Sequence, residues 1–295
     1  MSRRLTVVGI TLALWAGVIV LFLIVVSASL SGPDGSGIAF GPRVAVVELE
    51  GMIIDVEDLL RELKTHRENP QIKAVVIRIN SPGGVVGPSQ ELHDALLRLR
   101  KAGKPVVASL GAVAASGGYY VAVGADQIYA NPGTLTGSIG VIMQMANVES
   151  LMKKVGVDYV VVKAGRYKDL GNFSRPMSVE ERRVLQALLD DVHAQFIGAV
   201  ATGRRIEESQ VRQFADGRVF SGVQAVRLKM VDELGGLEDA IDRAARMAGL
   251  EGPPRVVSPR RRFSVFDLLR NQLGLEMGRA LPALPVFKTP LYLMD

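Results

Sequence analysis

The chain has 295 residues, of which 48% are hydrophobic and 22% charged, with a net charge of +5. That length suffices for one large or two small domains with a buried core, and the composition is that of a globular rather than a disordered chain. With no cysteine, disulfides, thiolate metal sites and a cysteine nucleophile are excluded, and the three scattered histidines (His66, His93, His193) argue against a histidine metal site. Part of the basic excess falls at Arg255 and Arg260 to Arg262, so the net charge says little about partners of the core.

Arg3 and Arg4 precede an uncharged, mostly apolar run from Leu5 to Val26, and the next charged side chain is Asp34. Spanning a bilayer takes about 20 residues, whereas the core of a cleaved signal is roughly 7–15 long. Length therefore favours a retained membrane anchor over residues 1–30, although Val26-Ser27-Ala28-Ser29 offers a cleavage site. The two arginines place the N-terminal side in the cytoplasm and the rest of the chain outside. Residues 31–42, rich in Gly and Ser, read as a flexible stalk.

The body, residues 43–250, alternates strands with amphipathic helices. The apolar runs Val44–Leu49 and Ile72–Ile79 predict strands, with a helix over Val56–Arg67 between them. Asn80-Ser81-Pro82-Gly83-Gly84 then leads to a helix over Pro88–Lys101 and a strand over Pro105–Leu110. Gln127–Ala130, Leu135–Ile142 and Asp158–Lys163 read as further strands, with a helix over Val148–Val155. From Met177 the pattern turns helical. Ser178 and Glu181 form a capping box opening a helix to about Ala201, and helices near Glu207–Phe214, Gly222–Lys229 and Leu237–Ala248 follow. The fold class is α/β with a largely parallel sheet and a helical C-terminal part. Beyond residue 250 a basic, then apolar, proline-punctuated tail runs to residue 295, and it is apolar enough to need a surface: along a neighbour or in the substrate groove.

Chemistry points to residues 108–120. The predicted strand runs into small residues, then Ser116, Gly117 and Gly118, then an apolar helical segment. Small residues permit a sharp strand-to-helix turn that presents one side chain at the helix start, close to unpaired N–H groups that could hold an oxyanion. The competing reading is a helix cap. A serine nucleophile needs a base, and no histidine lies between His93 and His193, both of which sit within predicted helices. A lysine kept neutral by apolar burial is the remaining option. Lys153 and Lys154 fall together on a helix, while Lys163 and Lys168 cannot be separated by spacing alone.

Several ordered motifs accompany these residues: Arg78-Ile79-Asn80-Ser81-Pro82-Gly83-Gly84, Ala114-Ala115-Ser116-Gly117-Gly118-Tyr119-Tyr120, Thr136-Gly137-Ser138-Ile139-Gly140-Val141, Gly165-Arg166-Tyr167-Lys168 and Ala215-Asp216-Gly217-Arg218. Over Val44 to Leu250 the chain resembles the short, membrane-anchored signal peptide peptidase A family, serine–lysine peptidases of the ClpP/crotonase-like fold, built of repeated ββα units. The resemblance implies Ser116 as nucleophile, Lys168 as general base, Gly83 and Gly117 as oxyanion-hole donors and Ser138 as the hydroxyl that orients the lysine. No cofactor and no metal are expected. The resemblance also implies a ring-like homo-oligomer, an octamer among the options, in which Ser116 of one subunit could meet Lys168 of a neighbour.

The leading expectation is a membrane-anchored serine endopeptidase that cuts remnant signal peptides and similar apolar peptides through an acyl-enzyme, with no nucleic-acid partner. The alternatives are a stomatin-associated Ser–Lys membrane protease, an acyl-CoA enzyme of the same fold, and a non-catalytic crotonase-like membrane scaffold. An acyl-CoA enzyme would not need Ser116. A membrane-interaction protein built on the anchor and the arginines of the tail is a further option.

Overall fold

A computed structural model describes residues 15–22, 41–258 and 291–293. Residues 15–22 form a helix, α1, whose side chains are exposed. The remainder of the expected anchor and all of the stalk but its last two residues lie outside the described residues. Among the described residues, no helix is long and apolar enough to cross a membrane.

From residue 42 the chain forms one compact unit. β1 (Arg43–Glu50), β2 (Ile72–Ser81) and β4 (Val106–Ala115) lie side by side in parallel. They are linked by α2 (Glu57–Glu68), the short β3 (Gly83–Val85) and α3 (Val86–Lys101). The apolar runs in β1 and β2 are nearly continuous because both faces of the sheet are covered. Ala45, Val47, Val75 and Ile77 face one core with Leu63, Leu92 and Leu96. Val44, Val46, Ala74 and Val76 face a second, smaller core with Ala240, Ile241 and Ala244 of α9 (Leu237–Met247).

β4 is the strand that positions the site. Its first half, Val107–Leu110, pairs with β5 (Gln127–Ala130), while its second half, Val113–Ala115, pairs with β6 (Leu135–Gly137). The two pairings are separated by Gly111, which packs against Ile79 and Asn80 of β2, where an added Cβ would lie 3.1 Å from the Ile79 carbonyl oxygen. Thr134 and Thr136 donate their hydroxyls to the Gly111 and Ala114 carbonyls at 2.7 Å, satisfying β4 acceptors across the split. α4 (Gly117–Ala122) follows at once, and Gly118 is held so close to Ser81 that a Cβ there would sit 2.9 Å from its carbonyl oxygen.

The helical part is as expected in outline: α5 (Glu149–Lys154), α6 (Val179–Arg204), α7 (Glu208–Val211), α8 (Gly222–Arg227) and α9. Ser178 caps α6 in a full capping box with Glu181. Short strands run among these helices: β7 (Val219–Ser221) antiparallel to β6, β8 (Glu233–Leu234) beside β5, and β9 (Arg255–Val257) parallel to β1. Two expectations are corrected. Asp158–Lys163 forms no strand, because no neighbouring strand offers it a ladder; Val160 and Val162 are 80% and 95% exposed. The strand expected over Leu135–Ile142 stops at Gly137, where Ser138 turns the backbone to φ 49°.

Of the tail, residues 291–293 form β10, which pairs antiparallel with β3 in the register Leu291 with Val85, Tyr292 with Gly84 and Leu293 with Gly83. Residues 259–290 and 294–295 lie outside the described residues.

Candidate active site

Ser116 lies where β4 turns into α4, and it is fully buried. Its backbone has φ 52° and ψ −119°, a conformation that glycine tolerates and a serine adopts only under strain of about 1–3 kcal/mol. The turn is held from both ends. The Ser116 N–H donates to Gly137 O at 2.8 Å, and the Ser116 carbonyl accepts from Tyr120 N at 2.8 Å. The hydroxyl does not cap the helix. Among the described residues, Oγ of Ser116 is the buried side-chain oxygen without a hydrogen-bond partner. A strained residue carrying a dry, unpartnered hydroxyl is poor design for a cap and suitable design for a nucleophile.

The structure gathers three of the other expected site residues around this turn. Gly117, buried as the first residue of α4, has an N–H with no intrahelical acceptor, at the positive end of the helix. Ser138 follows Gly137 directly, is 5% exposed, and donates its N–H to Arg218 O at 2.9 Å. That contact explains the Ala215-Asp216-Gly217-Arg218 motif. Asp216 Oδ1 accepts from Arg218 N at 3.2 Å, and Gly217 N donates to Ile139 O at 3.2 Å, so the turn forms a backbone cradle under Ser138. Gly83, at φ 106°, begins β3 two residues beyond the Ser81 that packs on Gly118. Its N–H donates to Ser81 Oγ at 3.1 Å, so this donor is engaged within the chain. One edge of β3 is locked to Ile53, through Ile53 N to Gly83 O at 2.9 Å and Val85 N to Ile53 O at 2.7 Å. The other edge takes β10.

Neither candidate histidine hydrogen-bonds Ser116. The His93 ring lies edge-on to Tyr120 and against Asp94, and burial lowers its pKa. His193 sits in α6, with Nε2 at 3.2 Å from Ile139 O.

The lysines separate in space as they could not by spacing. Lys163 Nζ is ion-paired with Asp169 and donates to Arg166 O at 3.0 Å. Lys168 is exposed, and its side chain has no ion pair or hydrogen bond among the described residues. It is not brought to Ser116, whose hydroxyl has no partner. Around Lys168 the acids are all engaged. Arg175 bridges Asp169 (3.0 Å) and Glu181, while Arg166 pairs with Glu180, which also accepts from Tyr167 OH at 2.9 Å. Arg175 and the Ser178 N–H pull the Glu181 carboxyl down to about 2, and Lys163 with Arg175 lowers Asp169. The acids and bases of this network, spread over residues 163–181, are visible in the sequence, but their pairing is not. Among the described residues, no group of His, Asp or Glu could hold a metal.

The sequence profile of peptidase family S49 matches residues 98–251. A Synechocystis sp. protein assigned as a protease is 47% identical over 211 residues, 71% of this chain and 76% of its own length. A protein of Enterococcus faecium assigned as signal peptide peptidase SppA is 37% identical over 186 residues, 63% of this chain and 54% of that protein. The chloroplastic serine protease SPPA of Arabidopsis thaliana is 35% identical over 201 residues, 68% of this chain but 30% of that protein. The match includes β4, the Ser116 turn and the loop carrying Lys168, and the chain belongs to peptidase family S49.

Proposed function

We propose that this protein is a serine endopeptidase in which Ser116 is the nucleophile and Lys168 the general base. The observation that carries the reading is the buried, unpartnered Ser116 hydroxyl held in a strained strand-to-helix turn. Neutral Lys168 takes the Oγ proton as Oγ attacks the scissile carbonyl carbon. The oxyanion forms against the N–H groups of Gly117 and of Gly83, once the latter leaves Ser81 Oγ. The protonated lysine then gives its proton to the departing amine, leaving the peptide acyl group on Ser116. Water, deprotonated by Lys168, attacks that ester and releases the carboxylate and free Ser116. One such N–H donor is worth about 3–4 kcal/mol in the transition state. Ser138, whose N–H is held by Arg218 O, is the hydroxyl we assign to orient that lysine.

Substrate adds to β3 as an extended strand. The support is that this edge already takes one, β10, in an antiparallel register running to Gly83. The occupant expected in the cell is an apolar peptide such as a remnant signal peptide, in keeping with the name of the Enterococcus relative and with an anchor over Leu5–Val26 that leaves the peptidase unit outside the membrane. The split pairing of β4 with β5 and β6 supports a ClpP/crotonase-like fold. Because Lys168 does not meet Ser116 in one chain, we assign completion of the site to a second copy in a homo-oligomer. The exposed apolar stretch with Val155, Val160 and Val162 supplies a surface for it.

The test is cleavage of an apolar fluorogenic peptide against pH by wild type, Ser116→Ala, Lys168→Ala and Lys163→Ala. The expected result is abolition in Ser116→Ala and Lys168→Ala, with Lys163→Ala slowed but still active and a wild-type rate that rises with pH. Undiminished cleavage by Ser116→Ala would leave a scaffold.

A further inference from the structure

The segment that carries Lys168 has no strand or α-helix between Lys163 and Arg175; the Lys168 N–H donates to Gly165 O at 3.2 Å, while its side chain has no hydrogen bond or ion pair among the described residues. Its position must come from its neighbours, and both are anchored to the same place. Tyr167 OH donates to Glu180 Oε1 at 2.9 Å. Asp169, whose side chain is 11% exposed, accepts from Lys163 through Oδ1 and from Arg175 Nε and Nη2 through Oδ2, at 3.1 and 3.0 Å. Arg175 in turn grips Glu181, whose side chain is 7% exposed and accepts the Ser178 N–H at 2.8 Å. Glu180 and Glu181 form the first turn of α6, a 26-residue helix. The residue before Lys168, the residue after it, and both ends of the segment are thus tied together or to one rigid helix start.

We propose that Asp169 is the positioning residue of the base: clamped by Lys163 and Arg175, it fixes the backbone from which Lys168 projects, whichever subunit's serine that lysine serves. The network has a second effect. It engages Asp169, Glu180 and Glu181 on Lys163, Arg175 and Arg166, so that no carboxylate pairs with Lys168. A lysine facing a free carboxylate is held protonated and cannot act as a base. The clamp therefore fixes the place of Lys168 and keeps these carboxylates off its ammonium group. This rests on the Ser116–Lys168 reading, and the experiment separates the two.

The full chain is purified in detergent micelles and kcat and KM are measured on an apolar fluorogenic peptide. Asp169→Ala is expected to lower kcat about 100-fold with KM within about twofold, the signature of a displaced catalytic group rather than a lost binding contact. Lys163→Met removes one arm at an exposed position and is expected to lower kcat, while Lys163→Arg restores it. An arginine keeps the ion pair but stays protonated, so it could not replace a base. Wild-type kcat in Asp169→Ala overturns the clamp. So does a Lys163→Arg protein as inactive as Lys163→Met, which would make Lys163 the base. Should Asp169→Ala fail to fold, the Lys163 pair alone decides. Full activity in Lys168→Ala removes the dyad reading and the clamp with it, whereas activity lost in Lys168→Ala but intact in Asp169→Ala removes the clamp alone.

Discussion

The N–H of Ser116 donates to the carbonyl of Gly137 over 2.8 Å, so the buried serine and the residue that immediately precedes Ser138 share one backbone hydrogen bond. Both Ser116 and Ser138 have positive φ, at 52° and 49°. Two serines in conformations that favour glycine, joined through one peptide group, form a rigid pair whose hydroxyls are placed by the backbone rather than by side-chain contacts.

That arrangement costs stability, which the proposed nucleophilic role of Ser116 would explain. Ser116→Gly relieves the positive-φ strain and removes the orphaned hydroxyl, at the cost of added backbone freedom in the unfolded chain. The expected net is a gain of about 1–3 kcal/mol, with peptide cleavage abolished. Denaturant unfolding beside a turnover assay checks it, and a less stable Ser116→Gly protein would contradict the strain argument.

Gly84 and Gly87 give a contrasting pair three residues apart. An added Cβ at Gly84 would lie 2.1 Å from Ile53 O, a backbone atom that cannot step aside, while at Gly87 in α3 nothing lies within 4 Å. Gly84→Ala should push β3 off Ile53 and cost about 3 kcal/mol or more. Gly87→Ala should stabilise by about 0.5–1 kcal/mol through helix propensity. Thermal unfolding of both reads the difference in sign.

Acid should loosen the Lys168 segment before the sheet. The Glu181 carboxyl, held at about 2 chiefly by Arg175, and Asp169, lowered chiefly by Lys163, both have folded pKa values below the unfolded ones. Their contribution is therefore present above the unfolded pKa near 4.5 and lost as pH falls toward 2. Wild-type stability should decline across that window, and Glu181→Gln should be less stable at neutral pH with a flatter acid limb. Melting curves from pH 7 to about 2 follow it.

If β3 is the edge that receives substrate, β10 competes for it. Tyr292→Pro removes a backbone N–H from the middle residue of β10 and should lower KM for added peptide without changing kcat. An unchanged KM, or unchanged assembly and basal activity on deleting residues 259–295, would show that this pairing does not obstruct the groove.

The central layers were legible in the sequence because local pattern and tertiary environment agree there. The runs in β1, β2 and β4 are apolar on both faces, and both faces are covered. The run at Asp158–Lys163 has the same β-branched character, yet it forms no strand, because a ladder needs a partner that composition does not announce. The reverse holds for β9: Arg255–Val257 follows two prolines and carries no strand signal, but the open edge of β1 receives it. At the site, Ser116 and its glycines could be read from turn chemistry. The separation of Lys163 from Lys168 could not, since it depends on which lysine Asp169 grips, a contact across a loop with no periodicity.

The pairing of β9 with β1 joins residues about two hundred positions apart, Arg43 with Arg255 and Ala45 with Val257. During synthesis β1 emerges early, and β2 can cover one of its edges within some thirty residues, but the other edge waits until nearly the whole peptidase unit has left the ribosome. Through that interval a ribbon with Val44, Ala45, Val46 and Val47 offers unpaired amides to any extended chain nearby, an edge that a chaperone would shield.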